Sequence, residues 1–368
     1  VQHFRNGRDE SGRDLITAVH GALEEFLHDR RATVALASAE FAQAVDALSG
    51  LVLGGGKRVR PTFAWWGWRA AGGDLTSPGT EAVVRAVSSL ELIQGCALVH
   101  DDLMDDSPLR RGRPTVHVSF ADHHRREGWR GAPERFGMAS AVLLGDVALA
   151  WADDMFFGSG LSAEALARSL PVWHAMRSEM LAGQYLDMLS QVRGDEDAET
   201  ALHVNRLKCA AYTVERPLHL GAAIAGAEQP VVDGLRRFGA DIGIAFQLRD
   251  DLLGVFGDPE VTGKPAGDDL REGKRTLLAS AGLRLAEEQG RTDALAELRG
   301  VIGDPELDAD RVAATRALLL ELGAVDEVEA RIDQYTDSAL RALTDTSVTE
   351  EARGRLTELA VSVTKRDQ

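Results

Sequence analysis

Apolar residues recur along most of the chain at intervals of three and four, without the every-second-residue alternation of a half-buried strand, so helix is the expected element throughout. One stretch shows the logic. From Thr80, a candidate cap, Val83, Val87, Leu90, Gln94, Ala97, Asp101 and Asp105 step by four and three along one helical face that closes before Pro108. That stripe starts greasy and ends acidic, which predicts an oily pocket with a charged mouth. A second such helix is expected after Pro230 and Asp233, with Leu235, Phe238, Ile242 and Phe246 inward before Asp250, and Gln247 on the face of Asp251. Further helices are expected over 15–49, 61–71, 136–157, 163–189, 201–225 and 277–290 and across the C-terminal third; glycine, proline and polar clusters mark loops over 72–79, 121–133 and 257–273. With no internal repeat or linker, the economical reading is one all-α domain over residues 13–368, a large helical bundle around a deep apolar cavity, with residues 1–12 frayed.

Composition narrows the function classes. The 368 residues are 44% apolar, enough for a large core. The formal charge of −17 argues against sequence-independent nucleic-acid binding, since a polyanion would be repelled at long range, so basic residues must act locally. Cys96 and Cys209 are the only cysteines, too few for a disulfide framework, which fits a reducing cytoplasm. The longest apolar run, 136–152, is broken by Asp146 and is read as a buried globular helix rather than a transmembrane one, and the polar opening carries no signal-peptide pattern.

The chemistry sits in two acidic clusters: Asp101, Asp102, Asp105 and Asp106 in VHDDLMDDSPLRRGRPTVH, and Asp250 with Asp251 in AFQLRDDLLGVFGDP. Carboxylates at i and i+4 share a helical face and repel, and a hard cation such as Mg²⁺ is the natural compensation. Arg110 and Arg111 follow the first cluster, and Lys57, Arg58 and Arg60 in GGGKRVRP form a second cationic group. Acid for metal and base for phosphate point to a diphosphate substrate, whose Mg²⁺ ions would need carboxylates on two opposed walls.

These strings resemble the trans-type isoprenyl diphosphate synthases, or polyprenyl synthetases. GGGKRVRP is similar to that family's isopentenyl diphosphate motif, DDLMD with RRGRPTVH to its first aspartate-rich region and FQLRDDLLG to its second; KCAAYT, GQYLD and GKPAGDDLREGK match in order and spacing. The resemblance implies an isoprenoid synthase-type helical fold, a homodimer, and several Mg²⁺ ions per site held by Asp101, Asp102, Asp105, Asp250 and Asp251. It implies that Mg²⁺ grips the diphosphate of an allylic substrate so that it can leave, and that isopentenyl diphosphate, held by Lys57, Arg60, Gln94 and Arg111, attacks the resulting cation. Arg110, Lys208, Lys264 and Lys274 would serve as diphosphate ligands, and Gln247 with the Lys208 carbonyl would support the cation by fixed dipoles. Cys209 and Phe246 would complete the substrate-binding wall. The loop bearing Lys264 and Lys274 is expected to close as a lid, because water would quench a carbocation.

Three departures from the family pattern stand out. Gly254 replaces the last aspartate of the second region, leaving Asp250 and Asp251 with Asp268 or Asp269 as possible partners; Gln94 replaces a histidine; Cys209 replaces a threonine, and a thiol is a poorer donor. In the family the two residues four and five positions before the first aspartate floor the pocket, and here they are Ala97 and Cys96, with Ile93 about one 5.4 Å turn deeper. Small side chains there imply geranylgeranyl diphosphate as the main product rather than farnesyl or a longer chain, with Trp151 or Phe156 as deeper stops. A class I terpene cyclase is disfavoured by GGGKRVRP, and a silent regulatory subunit by the two acidic regions. Trp65, Trp66 and Trp68 are expected to be core or subunit interface rather than a membrane contact, residues 123–126 (His, His, Arg, Arg) a solvated loop, and His100 and His117 supports of the charged sites.

Overall fold

The computed structural model describes residues 11–258 and 267–365. Lys264 lies outside the described residues, as does the opening expected to fray except at Ser11 and Gly12, which are helical. The chain divides into two compact units: one takes the described residues up to His174 with Pro217–Val232 and Val348–Ala352, the other Ala175–Arg216, Asp233–Ser347 and the residues from Arg353 on.

The chain opens with α1 (Ser11–Ala35), α2 (Ala39–Leu53), α3 (Val59–Ala70), α4 (Thr80–Ser88) and α5 (Leu90–Met104), all in the first unit. After a short ribbon come α6 (Val116–Glu127) and α7 (Pro133–Phe157), and α5 and α6 both pack on α7. The tryptophans of α3 are core: Trp65, Trp66 and Trp68 are buried. Two glycines let α3 lie against α10 (Arg216–Ala225). A Cβ on Gly67 would stand 2.3 Å from the Leu218 carbonyl oxygen, and one on Gly221 would stand 1.9 Å from that of Ala64.

Local chemistry breaks the expected helices where periodicity gave no warning. The stripe from Thr80 kinks at Ser88 and Ser89, whose hydroxyls donate to the carbonyls of Val84 (2.7 Å) and Ala86 (2.6 Å) and bend the helix in two. Thr80 lies inside α4 rather than capping it, and its hydroxyl donates to the Ser77 carbonyl at 2.9 Å. The helix expected over 15–49 is two, because the Ser38 hydroxyl accepts the Phe41 amide at 3.0 Å and starts α2. The expected loop 121–133 is helical through Glu127, ending at Gly128 with φ +63°. There His124 is buried and Arg125 is tied to Asp122 and Glu134, so residues 123–126 form a partnered helix end rather than a solvated loop.

The second unit contains α9 (Ala198–Asn205), a π-helix (Arg206–Glu215), α12 (Asp268–Arg271), α13 (Leu277–Glu288), α14 (Thr292–Val301), α15 (Ala309–Leu322) and α16 (Ala324–Thr344). Its core joins Leu277, Leu283, Leu298, Leu319, Val328 and Ile332 to Leu248 and Leu252. Three long helices, α8 (Ala163–Arg193), α11 (Gln229–Phe256) and α17 (Glu350–Thr364), contribute residues to both units.

Two stretches are long and apolar enough to cross a membrane by length and composition, Thr80–Met104 and Pro133–Phe157. The run 136–152 thus belongs to the 25-residue α7, which starts three residues before the helix expected over 136–157 and ends with it. The first stretch is mostly buried in the fold, whereas α7 leaves Met138, Val142, Leu143 and Phe157 exposed.

Candidate active site

In the first unit, α5 delivers Asp101 and Asp102 in its last turn and Asp105 just beyond it, where the carbonyl end of the helix is already negative and further carboxylates call for cations. Part of the answer is internal. Arg110 Nε donates to both oxygens of the buried Asp102, at 2.7 and 2.8 Å, its Nη2 lies 2.6 Å from Oδ1, and the same guanidinium stands 3.7 Å from Asp101. Asp106 takes the left-handed conformation (φ +51°), the Ser107 amide donates back to the Asp102 carbonyl at 2.9 Å, and the chain turns into the ribbon β1 (Leu109–Arg110) and β2 (Arg113–Pro114).

This ribbon, the one strand pair among the described residues, aims two arginines. Arg111 (φ +52°) and Gly112 (φ +70°) form its two-residue turn, both at the positive φ that matches the twist of a hairpin. Arg110 goes back to Asp102, while Arg111 Nη1 donates to the Gly55 carbonyl at 2.8 Å. Gly56 (φ +130°) wraps the same guanidinium: a Cβ there would lie 3.3 Å from Arg111 Nη2. The glycine run thus forms a collar around Arg111.

Arg58, between that collar and α3, is buried in an ion pair with Glu91 of α5 at 2.5 Å, the side chains 4% and 9% exposed. It is a structural cation, unlike the exposed Lys57 and the half-buried Arg60. Burial lowers the pKa of Arg111, as does repulsion from Arg110 and Arg58, against the pull of Glu91. Positive charge is thus packed against its own kind, and an anion arriving here would relieve it.

The stripe leading to the acids also has its expected sides sorted. Gln94, Ala97, Asp101 and Asp105 are half-buried, whereas Ile93 and Cys96 are wholly buried. Cys96 Sγ lies 3.7 Å from His100 Nδ1, and burial, then the charge of Asp146, pushes its thiol up to about 12. His100 in turn presses on α7, where a Cβ on Gly145 would come within 2.0 Å of its Nε2. Of the possible deeper stops, Phe156 is stacked on Trp173 at 4.2 Å and Trp151 meets Phe26 edge-on. His117 Nε2 lies 3.8 Å from Asp106, beside the first acidic run.

The second unit holds the other group of candidates. Asp251 of α11 is buried, accepting from Gln247 Nε2 at 2.8 Å and Asn205 Nδ2 at 3.1 Å. Burial pushes its pKa up to about 7, with Asp269 and Asp250 adding repulsion against those two hydrogen bonds. Asp250 and Phe246 are half-buried on the same helix. Lys208 pairs with Asp187 of α8 at 2.5 Å, and Lys274 lies 3.3 Å from Asp269 and 2.6 Å from Glu272.

Lys208 and Cys209 belong to the π-helix, a rare form that recurs at functional sites. Two glycines bring neighbouring backbones against it. A Cβ on Gly183 of α8 would sit 2.2 Å from the Lys208 amide nitrogen, and one on Gly243 of α11 would sit 2.7 Å from the Ala210 carbonyl oxygen. Sequence reasoning missed Gly183, Gly243, Asp187, Asn205 and Glu91; only Gly183 and Asp187 stood in a quoted string, GQYLD.

Among the described residues no three His, Cys, Asp or Glu side chains form a ready metal cage. Mg²⁺ keeps water and is commonly held by one or two carboxylates together with substrate phosphates. Acids at helix carbonyl ends and the mutual repulsion around Asp251 fit such an ion.

Residues 42–315 match the family model for polyprenyl synthetase. The chain belongs to the polyprenyl synthetase family. As a family member it is a prenyltransferase of isoprenoid biosynthesis with the all-α isoprenoid synthase fold. A geranylgeranyl pyrophosphate synthase from Corynebacterium glutamicum, solved with isoprenyl diphosphate and magnesium, superposes with a TM-score of 0.93 at 47% identity, covering 96% of this chain and 98% of that one. A geranylfarnesyl diphosphate synthase from Aeropyrum pernix is 35% identical over 304 residues, 80% of this chain and 86% of the relative. A (2E,6E)-farnesyl diphosphate synthase from Mycobacterium bovis is 37% identical over 239 residues, 63% of this chain and 60% of the relative. The names of such relatives cover several chain lengths, farnesyl, geranylgeranyl, geranylfarnesyl and heptaprenyl among them.

Proposed function

We propose that this prenyltransferase condenses isopentenyl diphosphate head-to-tail with an allylic diphosphate to give chiefly all-trans geranylgeranyl diphosphate. The observation that carries the activity is the anion-seeking arrangement at the end of α5: Arg110 fixed by Asp102, Arg111 collared by glycine backbone, and Asp101 and Asp105 beside them. Bound Mg²⁺ would be held by Asp101, Asp105 and Asp250 and would neutralise the leaving diphosphate. Asp102 and Asp251 serve behind these acids, Asp102 orienting Arg110 and Asp251 held by Gln247 and Asn205.

In the reaction the allylic C1–O bond breaks and pyrophosphate departs. The π pair of isopentenyl diphosphate forms the new C–C bond, and a proton passes to the released pyrophosphate as the double bond reforms. Arg110 faces the allylic diphosphate; Lys57, Arg60, Gln94 and Arg111 hold the other substrate, with planar guanidinium forks suited to phosphate oxygens. Gln247 and the Lys208 carbonyl offer fixed dipoles to the cation. Phe246 and Cys209 stand as wall residues, and Lys264 as a further phosphate ligand.

The product assignment rests on Ala97, a small residue on the half-buried stripe one turn before Asp101. A cytoplasmic homodimer, with α7 of two copies pairing, is the proposed assembly. Incubation with isopentenyl diphosphate, Mg²⁺ and dimethylallyl, geranyl or farnesyl diphosphate, followed by mass analysis, tests the reading. Chain extension to the geranylgeranyl product that EDTA abolishes is expected; hydrocarbon or cyclic products, or no turnover, would overturn it.

A further inference from the structure

The second acidic region lacks a side chain at its end, Gly254, and the structure shows what stands in that place. A Cβ built on Gly254 would lie 1.9 Å from Asp269 Oδ2, 2.5 Å from its Cγ and 3.2 Å from Oδ1. The carboxylate of Asp269 therefore occupies the position where a side chain of residue 254 would begin. No side chain larger than hydrogen fits at 254 unless Asp269 moves.

Asp269 is also held where it is. It sits on α12, whose Leu270 is buried in the core of the second unit and whose Leu270 carbonyl accepts the Gly303 amide at 2.7 Å. Arg271 Nε donates to the Leu307 carbonyl at 2.9 Å, and Gly267 starts the helix at φ +73° with no room for a side chain beside Val312. Behind the carboxylate, the Lys274 amide donates to the Asp269 carbonyl at 3.0 Å while Lys274 Nζ lies between Asp269 and Glu272. Asp268, the neighbour on α12, is not the residue found against Gly254.

We infer that Asp269 supplies the carboxylate that position 254 lacks, so the second acidic region of this chain draws its charge from two elements, α11 and α12. Asp269 is thereby a positioning residue for magnesium diphosphate, and Lys274 anchors it. The inference rests on the proposed diphosphate chemistry.

Its test is the Mg²⁺ requirement for binding inorganic pyrophosphate, read as the thermal shift of the full chain, alongside steady-state turnover. Asp269→Asn should raise the half-saturating Mg²⁺ roughly tenfold or more, the scale of losing a group that supports a metal's ligands. Gly254→Ala keeps every charge and adds one methyl group into the carboxylate, and should shift the Mg²⁺ requirement in the same direction. The exchange Gly254→Asp with Asp269→Gly should recover most of what Asp269→Gly loses. A purely structural Asp269 would lower the melting temperature of the unliganded protein but leave the Mg²⁺ midpoint in place, and that result in Asp269→Asn or, should that variant not fold, in Gly254→Ala overturns the inference. A wild-type chain that shows no Mg²⁺-dependent pyrophosphate binding would instead overturn the diphosphate reading itself.

Discussion

Ala97 and Cys96 are neighbours in sequence and strangers in space. Successive helical residues point about 100° apart, so Ala97 shares the half-buried stripe with Gln94 and Asp101 while Cys96 turns into the packing beneath His100. Ala97→Phe should therefore shorten the product toward farnesyl with little change in melting temperature. Cys96→Phe should mainly cost stability, about 1–3 kcal/mol, because an aromatic ring overpacks a closed site. Product analysis and a thermal melt of both variants check this pair, and an Ala97→Phe enzyme with unaltered product sinks the floor argument. The same angular logic limits what the acidic runs disclose. The strings named Asp101, Asp102, Asp250 and Asp251 together, yet Asp102 and Asp251 are buried with both oxygens engaged. Which member of a DD pair turns inward depends on the partners Arg110, Gln247 and Asn205, two of which come from other elements.

The elements were legible where periodicity ran long and illegible where side chains or close contacts intervened. α7, α8 and α11 follow the expected spans within a few residues, whereas the serine kink, the Ser38 cap and the arginine ribbon came from hydroxyls and positive φ angles that hydrophobic spacing does not encode. The π-helix is the instructive miss, because its register depends on neighbours pressing from two sides, at Gly183 and Gly243. Gly183→Ala forces a methyl group onto the Lys208 backbone, and kcat/KM should fall by about tenfold or more, since small misplacements near a reacting centre cost heavily. Gly354→Ala, with nothing within 4 Å, serves as the companion and should keep wild-type rates. Equal rates in both variants would remove Gly183 from the account.

For the molecule as a whole, helical class, family and the prenyltransferase character that goes with it were readable from a few strings, because phosphate and metal chemistry demands recognisable residues at fixed spacings. Assembly was not readable, since it depends on which faces remain apolar after folding. On α7 the exposed Met138, Val142, Leu143 and Phe157 make such a face, and a second copy is its proposed cover. Sedimentation should give twice the mass of one chain, with Leu143→Glu shifting the protein toward the single-chain mass; a wild-type monomer at micromolar concentration would rule the pairing out. The arginine ribbon has its own lesson about where control resides. Gly112 meets nothing within 4 Å, so a side chain there would collide with nothing, and only its φ of +70° resists one. The direction in which two guanidiniums point is therefore governed by a corner facing empty space, through an atom that glycine does not have.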